Sequence, residues 1–339
     1  MRLDSGNTHE NNSLQAIVEF KHVKVYFQNR PKLLGKKVTI YAVDDVTLKL
    51  QEGEIFGLVG ESGSGKSTLA RTVVKLHKPT DGEVAYRGKD IFRQDRSGLK
   101  QFRRRVQMIF QDPYESLNPQ ADVFGAVIEP LIIHGLAPKG RDQQKARVSE
   151  LLERVGLDPT SKIDRFPHEL SGGERQRIAI ARALSLEPDL VIADEAVSML
   201  DVSVRLGILE LMLDLKRKFN LTYIFITHDL GVARYICTRI AVMYRGKVVE
   251  IADPDELISH PFHHYTNLLL ASIPGSPMRK PDQLGEAVLN PGLLPKGCRF
   301  ESRCPGAQEK CRNIEPPLVE VKEGHFVACH FPLGQESNN

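Results

Sequence analysis

The sequence predicts an α/β fold in which a mostly parallel β-sheet carries helices on both faces. Apolar segments of strand length alternate with segments of helical periodicity through most of the 339 residues. A glycine-rich turn, residues 60–68, follows one of these strands and opens a helix. The apolar share of 41% and the charged share of 26% are those of an ordinary globular protein, so a large core is expected.

Each element follows from its own local pattern. Alternating residues or short apolar runs predict strands at 17–27, 43–50, 54–60, 105–110, 189–194 and 222–228. Apolar residues with a helical period predict helices at 66–76, 143–157, 175–186 and 204–219. The helical pattern of about residues 112–178 predicts a subdomain inserted between the two halves of the sheet.

The two ends of the chain differ from this central region. Residues 1–15 are polar and lack the apolar centre of a secretory signal, so we expect a disordered tail. The pattern loosens near residue 254, so residues 16–255 are expected to form one domain and residues 256–339 a small cysteine-rich C-terminal module. No apolar stretch reaches the roughly 18 residues of a membrane span. Without a signal or a membrane span, the chain is expected to be cytosolic. Because the net charge is only +3, we expect it to bind no nucleic acid.

The turn "GESGSGKST" fits the phosphate-loop pattern G-x-x-x-x-G-K-S/T. Its glycines allow backbone N–H groups to surround phosphate oxygens, and the helix N-terminus adds a favourable dipole. The lysine would reach the terminal phosphates of ATP, and the serine hydroxyl would ligate Mg²⁺. The candidate ATP-binding residues are Gly60, Ser62, Gly63, Gly65, Lys66, Ser67 and Thr68.

Two adjacent carboxylates end the apolar strand "DLVIAD". Asp194 is placed to hold Mg²⁺ together with Ser67, and Glu195 is placed to polarise the attacking water. A buried ion pair is the alternative interpretation of such acids.

The motif "LSGGERQ", residues 170–176, resembles the signature of the ATP-binding cassette (ABC) ATPases. Gln111, Asp194 with Glu195, Asp201 and His228 follow the order of that family's Q-loop, Walker B acids, D-loop and switch. The resemblance covers about residues 16–275. It implies an ABC-type nucleotide-binding domain with a RecA-like core, an antiparallel β subdomain and an inserted helical subdomain.

The resemblance also implies roles for single residues. In the family the signature holds the γ-phosphate of ATP on the opposite subunit, which implies that role for Ser171, Gly172, Gly173 and Glu174. Gln111 would sense Mg²⁺ or water, and His228 would contact the γ-phosphate. Phe27 or Tyr26 would stack on adenine, while packing on the strand is the alternative for each ring.

Several segments narrow the resemblance to oligopeptide and dipeptide importers, among them "DPYESLNP" and "HPFHHYTNLLLASIP". This implies an ATPase that acts at the cytoplasmic face of the cytoplasmic membrane. It would work with a second ABC ATPase subunit, as a homodimer or heterodimer, and with two transmembrane permease subunits and, indirectly, a solute-binding protein. The same branch includes oligosaccharide and nickel importers. A non-transport ATPase that acts on DNA or the ribosome is a further alternative, although such relatives carry two cassettes, coiled coils or zinc hooks that are not visible here.

Two residues depart from the family pattern. Ala196 replaces a proline and Met199 replaces an alanine in the stretch "DEAVSMLD". Loss of the proline costs at most about 1 kcal/mol through chain entropy. The larger Met199 side chain lies where the closed subunits meet, so we expect it to alter packing there while the ATP site stays functional.

Four of the five cysteines crowd into the last 42 residues: Cys298, Cys304, Cys311 and Cys329. Their spacing is compatible with Zn²⁺ or an iron–sulfur cluster, and unrelated core thiols or disulfides are the alternatives. The pattern resembles the C-terminal cluster segment of many oligopeptide-type ATPases, which implies a 4Fe-4S cluster with Zn²⁺ as the alternative.

Overall fold

Two β-sheets carry the strands of the computed structural model, which describes residues 16–29, 38–112, 116–273 and 295–334. The strands are β1 (Ala16–Asn29), β2 (Val38–Gln51), β3 (Ile55–Val59), β4 (Asp81–Tyr86), β5 (Lys89–Asp90), β6 (Val106–Ile109), β7 (Leu190–Asp194), β8 (Thr222–Thr227), β9 (Arg239–Tyr244), β10 (Lys247–Ala252), β11 (Val319–Lys322) and β12 (His325–Val327). The expected N-terminal tail, residues 1–15, lies outside the described residues.

The helices surround the larger sheet. They are α1 (Lys66–Val73), α2 (Arg96–Arg105), α3 (Val123–His134), α4 (Arg141–Arg154), α5 (Pro159–Lys162), α6 (Gly172–Leu184), α7 (Val202–Phe219), α8 (Leu230–Ile236), α9 (Pro254–Ser259), α10 (His264–Ala271) and α11 (Glu309–Asn313). Within the described part of the chain, no helix is long and apolar enough to cross a membrane.

The larger sheet has eight strands in the order β11-β12-β10-β9-β3-β8-β7-β6. Strands β9, β3, β8, β7 and β6 pair in parallel, as the alternating pattern predicts. Every residue of β3, β7 and β8 is buried, because helices cover both faces of a parallel sheet.

Two apolar cores lie on opposite faces of this sheet. One core joins α1 and α2 to the smaller sheet, with Leu69, Phe102 and Phe20 among its residues. The other core joins α6, α7 and α8 to the inserted helices, with Ile178 and Met212 among its residues. The central strands are therefore held between two hydrophobic layers.

The smaller sheet is antiparallel, with the order β2-β1-β4-β5. Sequence periodicity located its two long strands but not β4 or β5. It also missed the hairpin of β9 and β10, although Arg245 and Gly246 both have positive φ, as a tight hairpin turn requires. An Arg-Gly pair between two apolar runs was the signal for that turn.

Helices α3, α4 and α5 form the inserted helical region. Asp122 and Asp158 cap the N-termini of α3 and α5 through their side chains, and Gly135 ends α3 in a left-handed conformation. Helix α3 packs against α4 and α6, so this region rests on the same core as the sheet.

The described C-terminal strands continue the larger sheet, because β12 pairs with β10. Glu250 on β10 fastens this junction and is fully buried. Its carboxylate accepts hydrogen bonds from the backbone N–H groups of Phe262 (2.6 Å) and His263 (3.1 Å), and it lies 2.8 Å from Nε2 of His325 on β12. These contacts bind the described C-terminal strands to the rest of the larger sheet.

We predict that Glu250→Ala lowers the free energy of unfolding by about 3 kcal/mol, because it leaves buried donors without an acceptor. Glu250→Gln, which keeps one acceptor oxygen, should cost less. Urea unfolding followed by circular dichroism measures both. Glu83→Ala, at an exposed ion pair with Lys21, is the control and should change little. Equal stability of Glu250→Ala and the native chain would contradict this account of the junction.

Candidate nucleotide-binding site

The candidate site lies where four parallel strands end. Their registers pair Val59 with Thr227, Asp194 with Ile226, and Ile109 with Ala193. Because the carboxyl ends are level, the loops that follow β3, β6, β7 and β8 meet at one edge of the sheet. This edge brings together the phosphate loop, Gln111, the acids after β7 and His228.

Close packing shapes the phosphate loop. A Cβ at Gly60 would overlap the carbonyl oxygen of Met243 on β9, and a Cβ at Gly65 would overlap that of Ala42 on β2. Gly65 also has φ +105° and precedes the first residue of α1. Only glycine fits these positions, so the loop is held between the two sheets.

Lys66 points back into the loop. Its Nζ donates to the carbonyl oxygens of Gly60 (2.7 Å) and Glu61 (2.9 Å) and lies 3.4 Å from Oγ of Ser64. Burial lowers the pKa of Lys66, and the nearby carboxylates of Glu195, Asp194 and Glu61 oppose that shift. The ammonium therefore stands at the centre of the loop, where a polyphosphate would need it.

Asp194 is the most buried acid of the site, with 1% of its side chain exposed. It accepts a hydrogen bond from Oγ of Ser67 at 2.6 Å and pairs with Arg71 at 3.2 Å. Hydroxyl and carboxylate oxygens are ligands that Mg²⁺ prefers, so this pair fits that ion. Arg71 was not expected here, and its position one helical turn after Ser67 was the signal.

The candidate catalytic residues converge on Glu195. Its carboxylate accepts a hydrogen bond from Nε2 of Gln111 at 3.2 Å and lies 3.4 Å from Nδ1 of His228. Glu195 has a positive φ of 49°, a conformation uncommon for a residue with a side chain. Such backbone strain is concentrated at functional sites. The three side chains predicted from separate motifs thus form one cluster.

The two candidate adenine-stacking rings have different surroundings. The Tyr26 hydroxyl donates to Asp44, and its ring packs edge-on against Tyr41 with centroids 4.7 Å apart. Phe27, on the opposite face of β1, is 38% exposed and lies edge-on to His77. Phe27 therefore offers the freer ring.

The signature residues start helix α6. Ser171 is the N-cap, and it forms a capping box in which the Glu174 carboxylate accepts from Ser171 N at 2.9 Å. A hydrogen bond from Lys162 is the main cause that lowers the pKa of Glu174 to about 2. The exposed Ser171 and its neighbouring N–H groups can receive an anion from outside this chain.

The expected D-loop ends at Asp201, which caps α7 by accepting from Val204 N at 3.0 Å. Ala196 is buried, whereas Met199 and Val202 are 61% and 72% exposed. The signature helix touches this segment, because a Cβ at Gly173 would meet Val204. Two large apolar side chains, Met199 and Val202, are therefore exposed to solvent beside the expected D-loop and the signature helix.

The five cysteines are free thiols, and Cys237 is buried as a core residue. Burial, together with the charges of the other C-terminal thiols, raises the pKa of Cys304 to about 12 and that of Cys329 to about 11. Cys298 N donates to Cys311 O at 2.7 Å. Among the described residues, however, no group of three or more His, Cys, Asp or Glu side chains is arranged to hold a metal ion. The four thiols have the donor chemistry of a metal site, but they would have to draw together to bind one.

Sequence reasoning also missed contacts from the C-terminal region to the phosphate loop. The Tyr265 hydroxyl accepts from Glu61 N at 2.8 Å, and Arg303 pairs with the Glu61 carboxylate. The sequence separations are 204 and 242 residues, so no local pattern could have revealed them.

Known proteins resemble this chain over most of its length. Residues 43–198 match the family described as ABC transporter, and residues 249–311 match the C-terminal region of oligopeptide/dipeptide transporters. Among solved structures, the dimeric post-hydrolysis state of the ATP-binding cassette MJ0796 bound to ADP and Pi is 31% identical, with a TM-score of 0.62. The match covers 70% of this chain and 98% of that one.

Two relatives from Bacillus subtilis (strain 168) match nearly the whole chain. The oligopeptide transport ATP-binding protein AppF is 46% identical over 324 residues, which are 94% of this chain and 98% of the relative. The putative oligopeptide transport ATP-binding protein YkfD is 46% identical over 330 residues, with 95% and 97% covered. The chain belongs to the ATP-binding proteins of the ABC transporter family, in their oligopeptide/dipeptide branch, and it is an ATPase. The cassette fold expected from the sequence is confirmed.

Proposed function

We propose that this chain is the ATP-hydrolysing subunit of an importer that carries oligopeptides or dipeptides across the cytoplasmic membrane. The convergence of Gln111 and His228 on Glu195 beside the phosphate loop is the observation that carries the ATPase role. The match of residues 249–311 to the C-terminal region of oligopeptide/dipeptide transporters supports the peptide cargo. The names of AppF and YkfD point to the same cargo.

The phosphate loop would bind ATP. Lys66 would exchange its loop carbonyl partners for terminal phosphate oxygens, and the N-terminus of α1 would face the same anion. Phe27 is the better candidate for adenine stacking, because the Tyr26 hydroxyl is engaged by Asp44. The remaining proposed ATP-binding residues are Gly60, Ser62, Gly63, Gly65, Ser67 and Thr68.

Ser67, Gln111 and Asp194 would hold Mg²⁺, which would neutralise charge on the phosphates when bound. Glu195 would accept a proton from the attacking water, since its carboxylate lies beside Asp194 and is half-buried. Gln111 and His228 would orient that carboxylate and contact the reacting phosphate. Arg71, which pairs with Asp194, would hold that carboxylate in place.

A second ABC ATPase subunit would complete the site, as a homodimer or heterodimer. The N-terminus of α6 would contact ATP held by that partner through Ser171, Gly172, Gly173 and Glu174. Ser171, which caps this helix, is exposed. The exposed Met199 and Val202 beside Asp201 would be covered at this interface. Met199 would change its packing without touching the nucleotide.

Two transmembrane permease subunits would dock beside Gln111. A groove of about 330 Å³ lies between β6, α3 and α6, and Phe110, which precedes Gln111, lines it. Leu76 and Ile133 on its walls are 56% and 66% exposed. An apolar segment of a membrane subunit would fit this groove. Movement of that segment would shift Phe110 and, through it, the adjacent Gln111. The chain would thus lie peripherally on the cytoplasmic face of the membrane and serve a solute-binding protein indirectly.

We predict that Glu195→Gln lowers the steady-state ATPase rate of the assembled transporter at least about 100-fold while ATP still binds, because a general base contributes that much. Phosphate release and binding of a fluorescent ATP analogue measure the two effects. Glu187→Gln, at an exposed ion pair with Arg147, is the control and should hydrolyse ATP normally. Hydrolysis by Glu195→Gln at the native rate would contradict the assignment.

Labelled peptides and oligosaccharides, offered to the same assembled transporter, then test the cargo. Uptake of peptides that stops in Glu195→Gln supports the proposal. Uptake of oligosaccharides alone would assign this ATPase to another importer of the branch.

For Cys298, Cys304, Cys311 and Cys329 we propose a 4Fe-4S cluster, with Zn²⁺ as the alternative metal. Four thiols within one short segment supply the donor chemistry that such a cluster requires. Binding would require the thiols to lose their protons and to draw together.

Anaerobically purified protein should then contain about four iron atoms per chain and absorb in the visible range, as expected for such a cluster. Replacing Cys304 with Ser should remove both signals, whereas Cys237→Ser should keep them. Zinc without iron would select the alternative. A native chain that contains neither iron nor zinc would overturn the proposal.

A further inference from the structure

Two arginines of the cysteine-bearing segment, Arg299 and Arg303, contact the phosphate loop or the turn that supports it. Arg303 makes two parallel hydrogen bonds to the Glu61 carboxylate, at 2.9 Å and 3.0 Å. Glu61 is the second residue of the phosphate loop, directly before Ser62 and Gly63. This fork geometry fixes the direction of a carboxylate more firmly than a single contact would.

Arg299 makes two contacts beside the phosphate loop, with Arg245 and with Asp44. Only 4% of its side chain is exposed. Its Nη1 donates to Arg245 O at 2.7 Å, in the turn between β9 and β10. The next residue of that turn, Gly246, donates its N–H to Ser64 O in the phosphate loop at 2.8 Å. The second Arg299 nitrogen pairs with Asp44, the carboxylate that also holds Tyr26.

An aromatic cluster packs against Arg303. The rings of Phe300, Tyr244 and Tyr265 lie 4.6 to 5.4 Å apart between their centroids. Arg303 lies over two of these rings, and Phe300 is 1% exposed. The third ring, Tyr265, accepts the hydrogen bond from Glu61 N. The contacts that support the phosphate loop therefore extend into the C-terminal segment.

We propose that Arg303 and Arg299 are positioning residues for ATP binding: they hold the phosphate loop and its supporting turn in the conformation that receives the phosphates. A glycine-rich loop loses much conformational freedom when it closes on a ligand, so contacts that order it beforehand increase affinity. The inference rests on the proposed ATP-binding role of the loop. It gives the C-terminal segment a part in nucleotide binding.

Equilibrium binding of a fluorescent ATP analogue to the full chain tests this role. Arg303→Met and Glu61→Gln should each raise the dissociation constant about fivefold. The double variant should bind no more weakly than either single variant, because the two side chains act as one pair. Arg303→Lys keeps the charge but loses the fork, so its affinity should fall between those of Arg303→Met and the native chain.

Arg312→Met is the matched control, since Arg312 belongs to the same segment but pairs with Glu301 away from the loop. It should leave the dissociation constant unchanged. In the assembled transporter, Arg303→Met should raise KM for ATP while kcat at saturating ATP stays the same. A residue with only a structural role would lower Tm and leave this affinity unchanged in the folded protein.

Lys66→Ala tests the ATP-binding role of the phosphate loop independently of the two arginines. If Lys66→Ala weakens binding but Arg303→Met binds as tightly as the native chain, the positioning role is overturned. Additive losses in the Arg303→Met, Glu61→Gln double variant, or an equal loss in Arg312→Met, would also overturn it. If Lys66→Ala binds normally, the phosphate-loop assignment itself is wrong.

Discussion

The level carboxyl ends of β3, β6, β7 and β8 are the constraint on which the site depends. Parallel pairing fixes the register of each strand against its neighbours. The helices on both faces stabilise this register through two buried cores. Three separate motifs meet the phosphate loop at this edge of the sheet. They contribute Gln111, the pair Asp194 and Glu195, and His228. A slip of one residue in any strand would turn these side chains to the wrong face.

The glycine contacts extend this constraint to the neighbouring strands. Gly60 lies against the carbonyl group of Met243, and Gly65 lies against that of Ala42. The loop is thereby held between β9 of the larger sheet and β2 of the smaller one. Its shape depends on the packing of both sheets and not on its own sequence alone. For that reason contacts behind the loop, such as those of Arg299 with the β9–β10 turn, matter to nucleotide binding.

The sequence predicted those parts of the molecule that depend on neighbouring residues. The parallel strands have continuous apolar runs, and the phosphate loop and the Asp194–Glu195 pair follow them directly. The Arg303–Glu61 pair and the Glu250–His325 contact were not predictable, because 242 and 75 residues separate the partners. The pairing of β12 with β10 is also non-local, so the sequence did not show how the C-terminal strands join the larger sheet.

Purification of the chain from its native membranes in mild detergent, followed by mass spectrometry, tests the central claim of an importer ATPase most directly. The account predicts that two multi-spanning membrane subunits and an ATPase partner come with it. Ile133→Glu, in the apolar groove beside Gln111, should release the membrane subunits and still bind ATP. A native chain that comes out alone, or with ribosomes or DNA, would contradict the membrane role and assign the ATPase to another task.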